Sequence, residues 1–203
     1  MSTGKAAVNQ KAERGLATRQ GILETATRLF AEHGYAAVSI ESVLAAAGVS
    51  RGALYHHFAS KEALFEAVFE ALEQEICAKV IASSAGARDA VRSLAAGCDA
   101  FLDLVQDQAM RQIVLTDAPS VLGWDKWREI EARYGFGLLK ASLARVSAEG
   151  ALPAEMIDLF AHMLLASLNE VALVIARASD RAAASAEAKS AIATLLTRLL
   201  GAT

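Results

Sequence analysis

Proline, cysteine and aromatic residues are scarce in this sequence. It holds two prolines and two cysteines among 203 residues, and aromatic side chains make up only 6% of it. So few prolines leave little to interrupt a helix, and the abundant alanine and leucine lose little conformational freedom on entering one. The composition therefore predicts an all-α fold and disfavours strands.

The two cysteines, Cys77 and Cys98, fall on separate predicted helices and outside any CxxC or metal-like spacing. We expect them to be small buried side chains in a reducing cytosol. The first twenty residues are polar and charged, so no signal peptide is predicted. The most apolar stretch, residues 156–176, is interrupted by polar side chains, which indicates a buried helix and no membrane span. A cytoplasmic protein is expected.

Signatures of enzymes and of metal sites are also missing. The sequence holds no GxSxG, HExxH, P-loop or Rossmann fingerprint, and no pair of acidic residues stands out. His162 and Asp158 lie one helical turn apart, but no third ligand stands at a suitable spacing for a metal ion. The sequence predicts neither an enzyme nor a cofactor or metal site.

Charge is unevenly distributed along the chain. The net charge of −3 argues against indiscriminate nucleic-acid binding. Residues 1–61 nevertheless carry seven Lys and Arg against four acidic residues, whereas residues 62–203 carry thirteen against nineteen. A basic N-terminal part on an acidic remainder is the arrangement expected of a DNA-facing end on a larger body.

Helix start and stop signals divide the chain. Residues 1–15 are predicted as a flexible tail, followed by a helix that Thr18 caps and Gly34 ends. The N-cap positions of the next three predicted helices are taken by serines, Ser39, Ser50 and Ser60. Further helices are expected near 61–82, 87–106, 107–116, 124–148, 154–178 and 185–200, with breaks at 83–86, 117–120 and 150–153.

The most informative segment runs from Ser39 to Lys61 and has the sequence SIESVLAAAGVSRGALYHHFASK. Two short predicted helices are joined there by a tight turn at Gly48. This is the spacing of a helix-turn-helix motif, whose second helix enters the major groove of DNA. Leu54 and Phe58, four residues apart, are expected to face the core, which leaves the other side of the second helix outward.

The outward side chains suit a contact with DNA. Arg51 at the helix N-terminus can donate two hydrogen bonds to guanine, and the small Gly52 and Ala53 allow close approach to base edges. Hydroxyl, imidazole and ammonium groups suit phosphates. The predicted DNA-binding residues are Ser39, Ser50, Arg51, Gly52, Ala53, Tyr55, His56 and Lys61. A compact helical corner with exposed polar residues would show the same spacing.

The stretch AAAGVSRGALYHHFASKEAL resembles the signature of the TetR family of transcriptional regulators. The preceding segment, ILETATRLFAEHGYAAVSIESV, resembles the first helix of that family and its lead into the second. One departure is Ala53, where threonine is commoner. The resemblance covers about residues 16–69. It implies an all-helical protein with three N-terminal DNA-binding helices over residues 16–62 and a larger C-terminal ligand-binding and dimerisation domain over residues 63–203.

The function implied by the resemblance is sequence-specific regulation of transcription by a homodimer. The protein is expected to repress from a double-stranded DNA operator and to be released by a small apolar or amphipathic ligand. The alternative is a DNA-binding regulator whose body docks a protein partner. No membrane partner is expected.

Residues of the C-terminal part are assigned without a motif. Side chains that could line an apolar cavity between helices are Phe101, Met110, Trp124, Trp127, Tyr134, His162 and Asn169. Plain core packing also explains aromatic residues at helical spacing.

The helix predicted at 154–178 is apolar nearly all round and must be covered on every side. Together with the last helix it is expected to form half of a four-helix bundle between subunits, through Leu164, Leu168, Val171, Ile175, Ile192, Leu195, Leu196 and Leu199. A polar stripe of Asp158, His162 and Asn169 on the same helix must find partners in the core, across the dimer or on a ligand.

Overall fold

A computed structural model describes the backbone of residues 3–201 and the side chains from residue 13 onward. Within that range the chain forms helices joined by short turns and contains no strand, so the all-α prediction is confirmed. The α-helices are α1 Thr3–Ala37, α2 Ile40–Ala47, α3 Arg51–His57, α4 Lys61–Ser84, α5 Ala90–Leu104, α6 Ala118–Leu122, α7 Trp124–Arg133, α8 Gly135–Ala148, α9 Ile157–Arg177 and α10 Arg181–Leu200. A π-helical segment, Met110–Asp117, precedes α6, and a 3-10 turn, Ala154–Met156, precedes α9.

Serine caps fix the starts of α2, α3 and α4, as predicted. The Ser39 hydroxyl accepts a hydrogen bond from the backbone N–H of Ser42, and the Ser42 hydroxyl accepts one from Ser39 in return. Ser50 and Ser60 each accept from the third N–H that follows them, at 3.2 and 3.0 Å. Each cap satisfies an N–H group that the helix leaves unpaired and stabilises the helix by about 1 kcal/mol.

The first helix begins earlier than predicted. It already includes residues 3–15, where a tail was predicted, while residues 1–2 lie outside the described part of the chain. Thr18 does not cap the helix, because its hydroxyl donates to the Arg14 carbonyl oxygen within it. At the other end Gly34 interrupts the helix as predicted, because its φ of 76° and ψ of 159° are not helical, and a short helical turn to Ala37 follows it.

Two of the three predicted breaks beyond α4 are confirmed. The chain leaves helix after Ser84, and it turns at Gly150, which has a φ of +84°. The predicted break at 117–120 is wrong, since the wide turns of the π-helical segment continue into α6. Pro119 fits there because it stands in the first turn of α6, where a backbone N–H donor is not required.

The helix predicted at 124–148 is two helices. They are separated at Tyr134, whose φ and ψ of −110° and −93° are not helical. The turn before them falls at Gly123, with a φ of +75°.

Two clusters of buried apolar side chains hold the fold together. We call α1–α3 the head and α4–α10 the body. The first cluster joins Phe30 of α1, Leu54 of α3 and Phe65 of α4 to the π-helical segment and α7. The second joins α5, α8, α9 and α10. Because the first cluster crosses from head to body, the head is anchored on α4 and on the π-helical segment.

Side chains from three elements meet where the head joins the body. The Asp117 carboxylate accepts hydrogen bonds from the backbone N–H of Tyr35 at 2.8 Å and from Gln112 Nε2 at 3.2 Å. Lys61 Nζ lies 4.0 Å from the centroid of the Tyr35 ring. Burial lowers the pKa of Lys61 and raises the pKa of Tyr35. These contacts tie the end of α1 to the start of α4 and to the π-helical segment.

Helix α9 buries one face within the protomer and exposes another. Ala161 and Leu165 are buried, whereas Leu159, Met163 and Val174 expose more than half of their surface. By length and composition alone, residues 154–177 would be apolar enough to cross a membrane, and no other helix in the described residues meets that test. The expectation that this helix is buried is therefore met on one face only.

The residues predicted at a dimer interface divide into two sets. Val171 is half-buried, and Leu195 and Leu199 are exposed on α10. The other five belong to the second core cluster and expose at most 6% of their surface in the protomer: Leu164, Leu168, Ile175, Ile192 and Leu196. Their apolar pattern required a cover, and the protomer itself provides it.

The three residues predicted to form a polar stripe on α9 each find a partner within the protomer, on α7 or α8. Asp158 is exposed and pairs with Lys140, which holds the pKa of the Asp158 carboxyl below its usual range. His162 is also exposed, and its ring stacks on Phe136 with the centroids 4.4 Å apart. Asn169 is half-buried and donates a hydrogen bond to Glu131 Oε1 on α7 at 3.0 Å.

Candidate nucleic-acid interface and interior cavity

The turn between α2 and α3 is built from local contacts. Gly48 adopts a left-handed conformation (φ 66°, ψ 29°), which a residue with a Cβ rarely adopts, and its N–H donates to the Leu44 carbonyl. Val49 packs against the first core cluster, and Ser50 then caps α3. Leu54 and Phe58 are buried, as predicted. This geometry fixes which side of α3 faces outward.

The outward side of α3 carries the predicted contact residues. Arg51, Gly52, Tyr55 and His56 are exposed, and Ala53 is half-buried. A Cβ built on Gly52 would meet no atom within 4 Å, so the space in front of the helix N-terminus is open. The hydroxyls of the exposed Ser39 and Ser50 accept the capping bonds and keep their own hydrogens to donate. The geometry leaves all of these groups accessible to a duplex.

Sequence reasoning missed a partner of Arg51. Its guanidinium lies 2.5 Å from Glu41 Oε1 on α2, and both side chains are exposed. Backbone N–H donation and the Arg51 hydrogen bond lower the pKa of the Glu41 carboxyl. A carboxylate therefore holds the guanidinium that was predicted to reach guanine. The two residues are ten positions apart on different helices, so helical spacing gives no sign of the pair.

Two other basic residues near α3 have surroundings that the sequence did not predict. Lys61 is half-buried, and its amine lies over the Tyr35 ring at the junction of head and body. Arg19, which was not singled out, lies with its guanidinium carbon 5.2 Å from the centroid of the Phe58 ring, at the end of α3. Its position on α1 is exposed. Arg19 therefore adds positive charge beside the outward side of α3.

The body contains a cavity of about 300 Å³. Its walls come from α4, α5, α7, α8 and α9, with further contributions from the π-helical segment and α6. Most of the lining is apolar. Four residues predicted to line a cavity do so: Phe101, Trp124, Trp127 and Asn169. A small cavity with mostly apolar walls and a few polar groups is typical of a site for a small molecule.

Three residues predicted to line the cavity do not. Met110 is buried in the first core cluster, between head and body. The Tyr134 hydroxyl lies outside the cavity and accepts a hydrogen bond from Gln74 Nε2 at 2.9 Å. His162 lies on the exposed face of α9, stacked on Phe136. Helical spacing alone did not distinguish these positions from the cavity wall.

Two acidic residues in the cavity wall were missed. Glu73 of α4 and Glu131 of α7 expose only 7% and 6% of their surface. Burial, and then the nearby charge of Glu131, raise the pKa of Glu73 to about 7. Glu131 accepts hydrogen bonds from Arg128 and, at 3.0 Å, from Asn169 Nδ2. The sequence offered one sign of these acidic residues, which was Glu73 itself. It is a charged residue at a position where the helical spacing would favour an apolar one.

The two cysteines also line the cavity. Both are free thiols, and burial raises the pKa of Cys77 to about 11 and that of Cys98 to about 12. The thiols are therefore protonated at neutral pH and contribute neutral, weakly polar surface. Among the residues that the structure describes, no group of three or more potential ligands is arranged to hold a metal ion.

Known proteins share both halves of this architecture. Residues 22–68 match the family model described as bacterial regulatory proteins of the tetR family, and residues 91–199 match the tetracyclin repressor-like C-terminal domain. The Transposon Tn10 TetC protein of Escherichia coli is 28% identical over 157 residues, which are 77% of this chain and 79% of that protein. The HTH-type transcriptional repressor AcnR of Corynebacterium glutamicum is 53% identical over 51 residues, 25% of this chain and 27% of that protein.

A solved structure is similar to this one over nearly the whole chain. The crystal structure of a TetR-family transcriptional regulator from Pectobacterium atrosepticum superposes with a TM-score of 0.77 and 31% sequence identity. The similarity covers 93% of this chain and 96% of that one. With a capped helix-turn-helix at one end and a cavity-bearing helical body at the other, the chain belongs to the TetR family of transcriptional regulators, which are DNA-binding proteins and not enzymes.

Proposed function

We propose that this protein is a homodimeric, cytoplasmic repressor that a small molecule releases from its DNA operator. The observation that carries the proposal is the outward face of α3, held by the buried Leu54 and Phe58, in a chain whose body contains a mostly apolar cavity. Residues 16–62 would form the DNA-binding domain and residues 63–203 the ligand-binding and dimerisation domain. The name of the relative AcnR, a transcriptional repressor, supports repression.

The DNA contacts follow from exposure and chemistry. Arg51 donates to guanine O6 and N7 after leaving Glu41, while Gly52 and Ala53 let the helix N-terminus approach the base edges. Ser39, Ser50, Tyr55 and His56 donate to phosphate oxygens. Lys61 is revised to a junction residue, because its amine lies over the Tyr35 ring. A dimer places two copies of α3 on half-sites about one helical turn apart or modestly more.

The exposed apolar face of α9 and α10 supports the homodimer. Large apolar side chains on this face remain exposed in the protomer: Leu159, Met163, Val174, Leu195 and Leu199. Water contact with so many apolar side chains on adjacent helices is unfavourable, and a second copy of the same face removes it. Two helices from each protomer would then form a four-helix bundle.

The cavity is connected to the head through its own walls. Helix α4 contributes Ile76 to the cavity and Lys61 to the junction. The π-helical segment contributes Val114 to the cavity and Asp117 to the junction, where Asp117 accepts from Tyr35. A ligand that displaces either wall shifts the head, and it changes DNA affinity only through its different affinities for the two arrangements, typically about 1–3 kcal/mol.

The dimer and its role in DNA binding are tested together with two matched variants. Leu195→Glu places a charge in the exposed apolar face, whereas Thr197→Glu places the same charge on the opposite flank of α10, two residues on. Light scattering after gel filtration is expected to show a dimer for the wild type and Thr197→Glu and a monomer for Leu195→Glu. Affinity for a DNA duplex selected from a random pool should fall at least about tenfold in Leu195→Glu alone.

The opposite result would contradict this part of the proposal. If Leu195→Glu stays dimeric and binds DNA as the wild type does, the α9–α10 face is not the subunit interface. If the wild type is monomeric and prefers no duplex, the proposed function fails as a whole.

A further inference from the structure

Glu73 is a buried carboxyl that no described residue pairs with. It lines the cavity and exposes 7% of its surface. Among the described residues, no hydrogen bond or ion pair reaches its side chain, yet no unpartnered side-chain oxygen is fully enclosed, so the carboxyl oxygens border open space. A Cβ built on Gly135 of α8 would lie 3.7 Å from Glu73 Oε2. The carboxyl therefore faces the cavity from α4.

The second acid of the wall is already satisfied. Both oxygens of Glu131 are occupied, one by the Arg128 guanidinium and the other by Asn169 Nδ2. Arg128 thus balances one negative charge, and the described structure supplies no cation for the other. A lone buried carboxylate is costly, and a cation within hydrogen-bond distance offsets that cost.

From this arrangement, and resting on the proposed function, we propose that the effector is an apolar molecule carrying a positive charge and that Glu73 pairs with that charge. The rest of the wall suits such a molecule. Phe101, Leu165 and Leu168 provide apolar surface, and Trp127 offers an aromatic face that attracts cations. Arg128 already lies over the Trp124 and Trp127 rings, at 5.3 and 5.7 Å from their centroids. A cation is thus held against these rings in the protomer itself.

The proposal predicts how binding depends on pH. The charged groups that face Glu73 are Glu131 from α7 and Arg128, which pairs with it. The neutral, titratable thiol of Cys77 faces it from α4 itself. Cys98 of α5 also lines the cavity, whereas α8 and α9 contribute no titratable side chain to it. Burial raises the pKa values of both thiols to about 11 and 12, so they stay neutral between pH 6 and 8.

Glu73 changes its charge in that range, because its pKa is about 7. Its carboxylate form, which pairs with a cation, becomes more populated as pH rises. Affinity for a cation of fixed charge should therefore increase about tenfold from pH 6 to pH 8, following the deprotonated fraction of a group with this pKa. Affinity for a neutral molecule of the same shape should not increase.

The test uses the full chain and its two tryptophans, which both line the cavity and report binding by fluorescence. The probes are phenyltrimethylammonium, its neutral isostere tert-butylbenzene, and the anion benzenesulfonate. The variants are Glu73→Gln, which removes the charge but keeps the shape, and Glu75→Gln, which removes an exposed charge on the same helix that pairs with Lys79. Release of a labelled operator duplex is followed in parallel.

The cation is expected to bind the wild type and Glu75→Gln, to lose at least about tenfold in affinity with Glu73→Gln, and to release DNA at lower concentration than the neutral isostere. Unchanged binding of tert-butylbenzene to Glu73→Gln shows that the variant cavity is intact. If Glu73→Gln does not fold, the inference is tested by measuring how the affinity of the wild type for phenyltrimethylammonium changes with pH.

Equal affinity of the cation for the wild type and Glu73→Gln, or a flat pH profile, overturns this inference. If the neutral or anionic probe binds and releases DNA while the cation does not, the inference fails and the ligand-released repressor stands. If no probe that fills the cavity changes DNA affinity, the proposed ligand release fails instead.

Discussion

The head and the body of this protein organise their chemistry in opposite ways. In the head, capping bonds between residues three positions apart fix α2 and α3, and the groups that would meet DNA point outward. In the body, polar contacts join residues far apart in the chain, such as Asn169 with Glu131, and the distinctive groups face an interior cavity. The head is therefore a surface built locally, whereas the body is an interior built by tertiary packing.

Because of this difference, we expect the head and the body to respond differently to substitution. A change on the outer side of α3 alters recognition and leaves the fold intact, because those residues have few contacts within the protein. A change on the inner side of the same helix alters the fold first. In the body, truncation of an apolar side chain in the cavity wall alters both, since residues such as Leu165 and Leu168 also belong to the second core cluster.

The largest effect is expected from Leu54→Ala. The Leu54 side chain is fully buried under α3, and its truncation leaves a cavity in the first core cluster. We expect the free energy of unfolding to fall by about 2–5 kcal/mol and DNA binding to be lost. Urea unfolding followed by circular dichroism measures the change. The exposed His56→Ala, two residues on, is the control and should cost no more than about 0.5 kcal/mol. Equal stability of the two variants would mean that α3 has no buried side.

A smaller and more specific effect is expected from Arg51→Ala. The guanidinium is exposed at the start of α3, so its loss should leave stability and cavity binding unchanged. Affinity for the operator should fall by about 1–3 kcal/mol, and preference should relax at one base position in each half-site. Fluorescence anisotropy with operator variants measures both. A uniform loss across all sequences would instead assign Arg51 to a phosphate.

The smallest effect, and one of opposite sign, is expected from Glu41→Gln. The Glu41 carboxylate holds Arg51 in the free protein and adds negative charge beside the DNA-facing side. Its removal should raise operator affinity at low salt, at most about fivefold because the pair is exposed, and the gain should fade as salt screens the charge. A salt titration of binding checks this. A loss of affinity would show that Glu41 positions Arg51 for the contact.

The comparison also explains what the sequence could predict. The caps at Ser39, Ser50 and Ser60 and the inward side of α3 were predictable, because each depends on residues no more than four positions away. The pairing of Arg51 with Glu41 and the approach of Glu73 to Glu131 were not, because they join different helices.

Apolar patterning failed in a more specific way on α10. Ile192 and Leu195 are equally apolar, yet one packs inside the protomer and the other lies on its surface. A hydrophobic pattern indicates only that the side chains at those positions need to be buried. Whether they are buried by the same chain or by another one depends on how α9 and α5 pack against α10, and the sequence pattern does not contain that tertiary arrangement.

Selection of bound duplexes from a random DNA pool tests the central claim most directly. Two copies of α3 related by a dimer axis should enrich an inverted repeat whose half-sites are about one helical turn apart or slightly more. Enrichment of a single half-site, of a direct repeat or of no sequence at all would contradict a symmetric pair of reading helices.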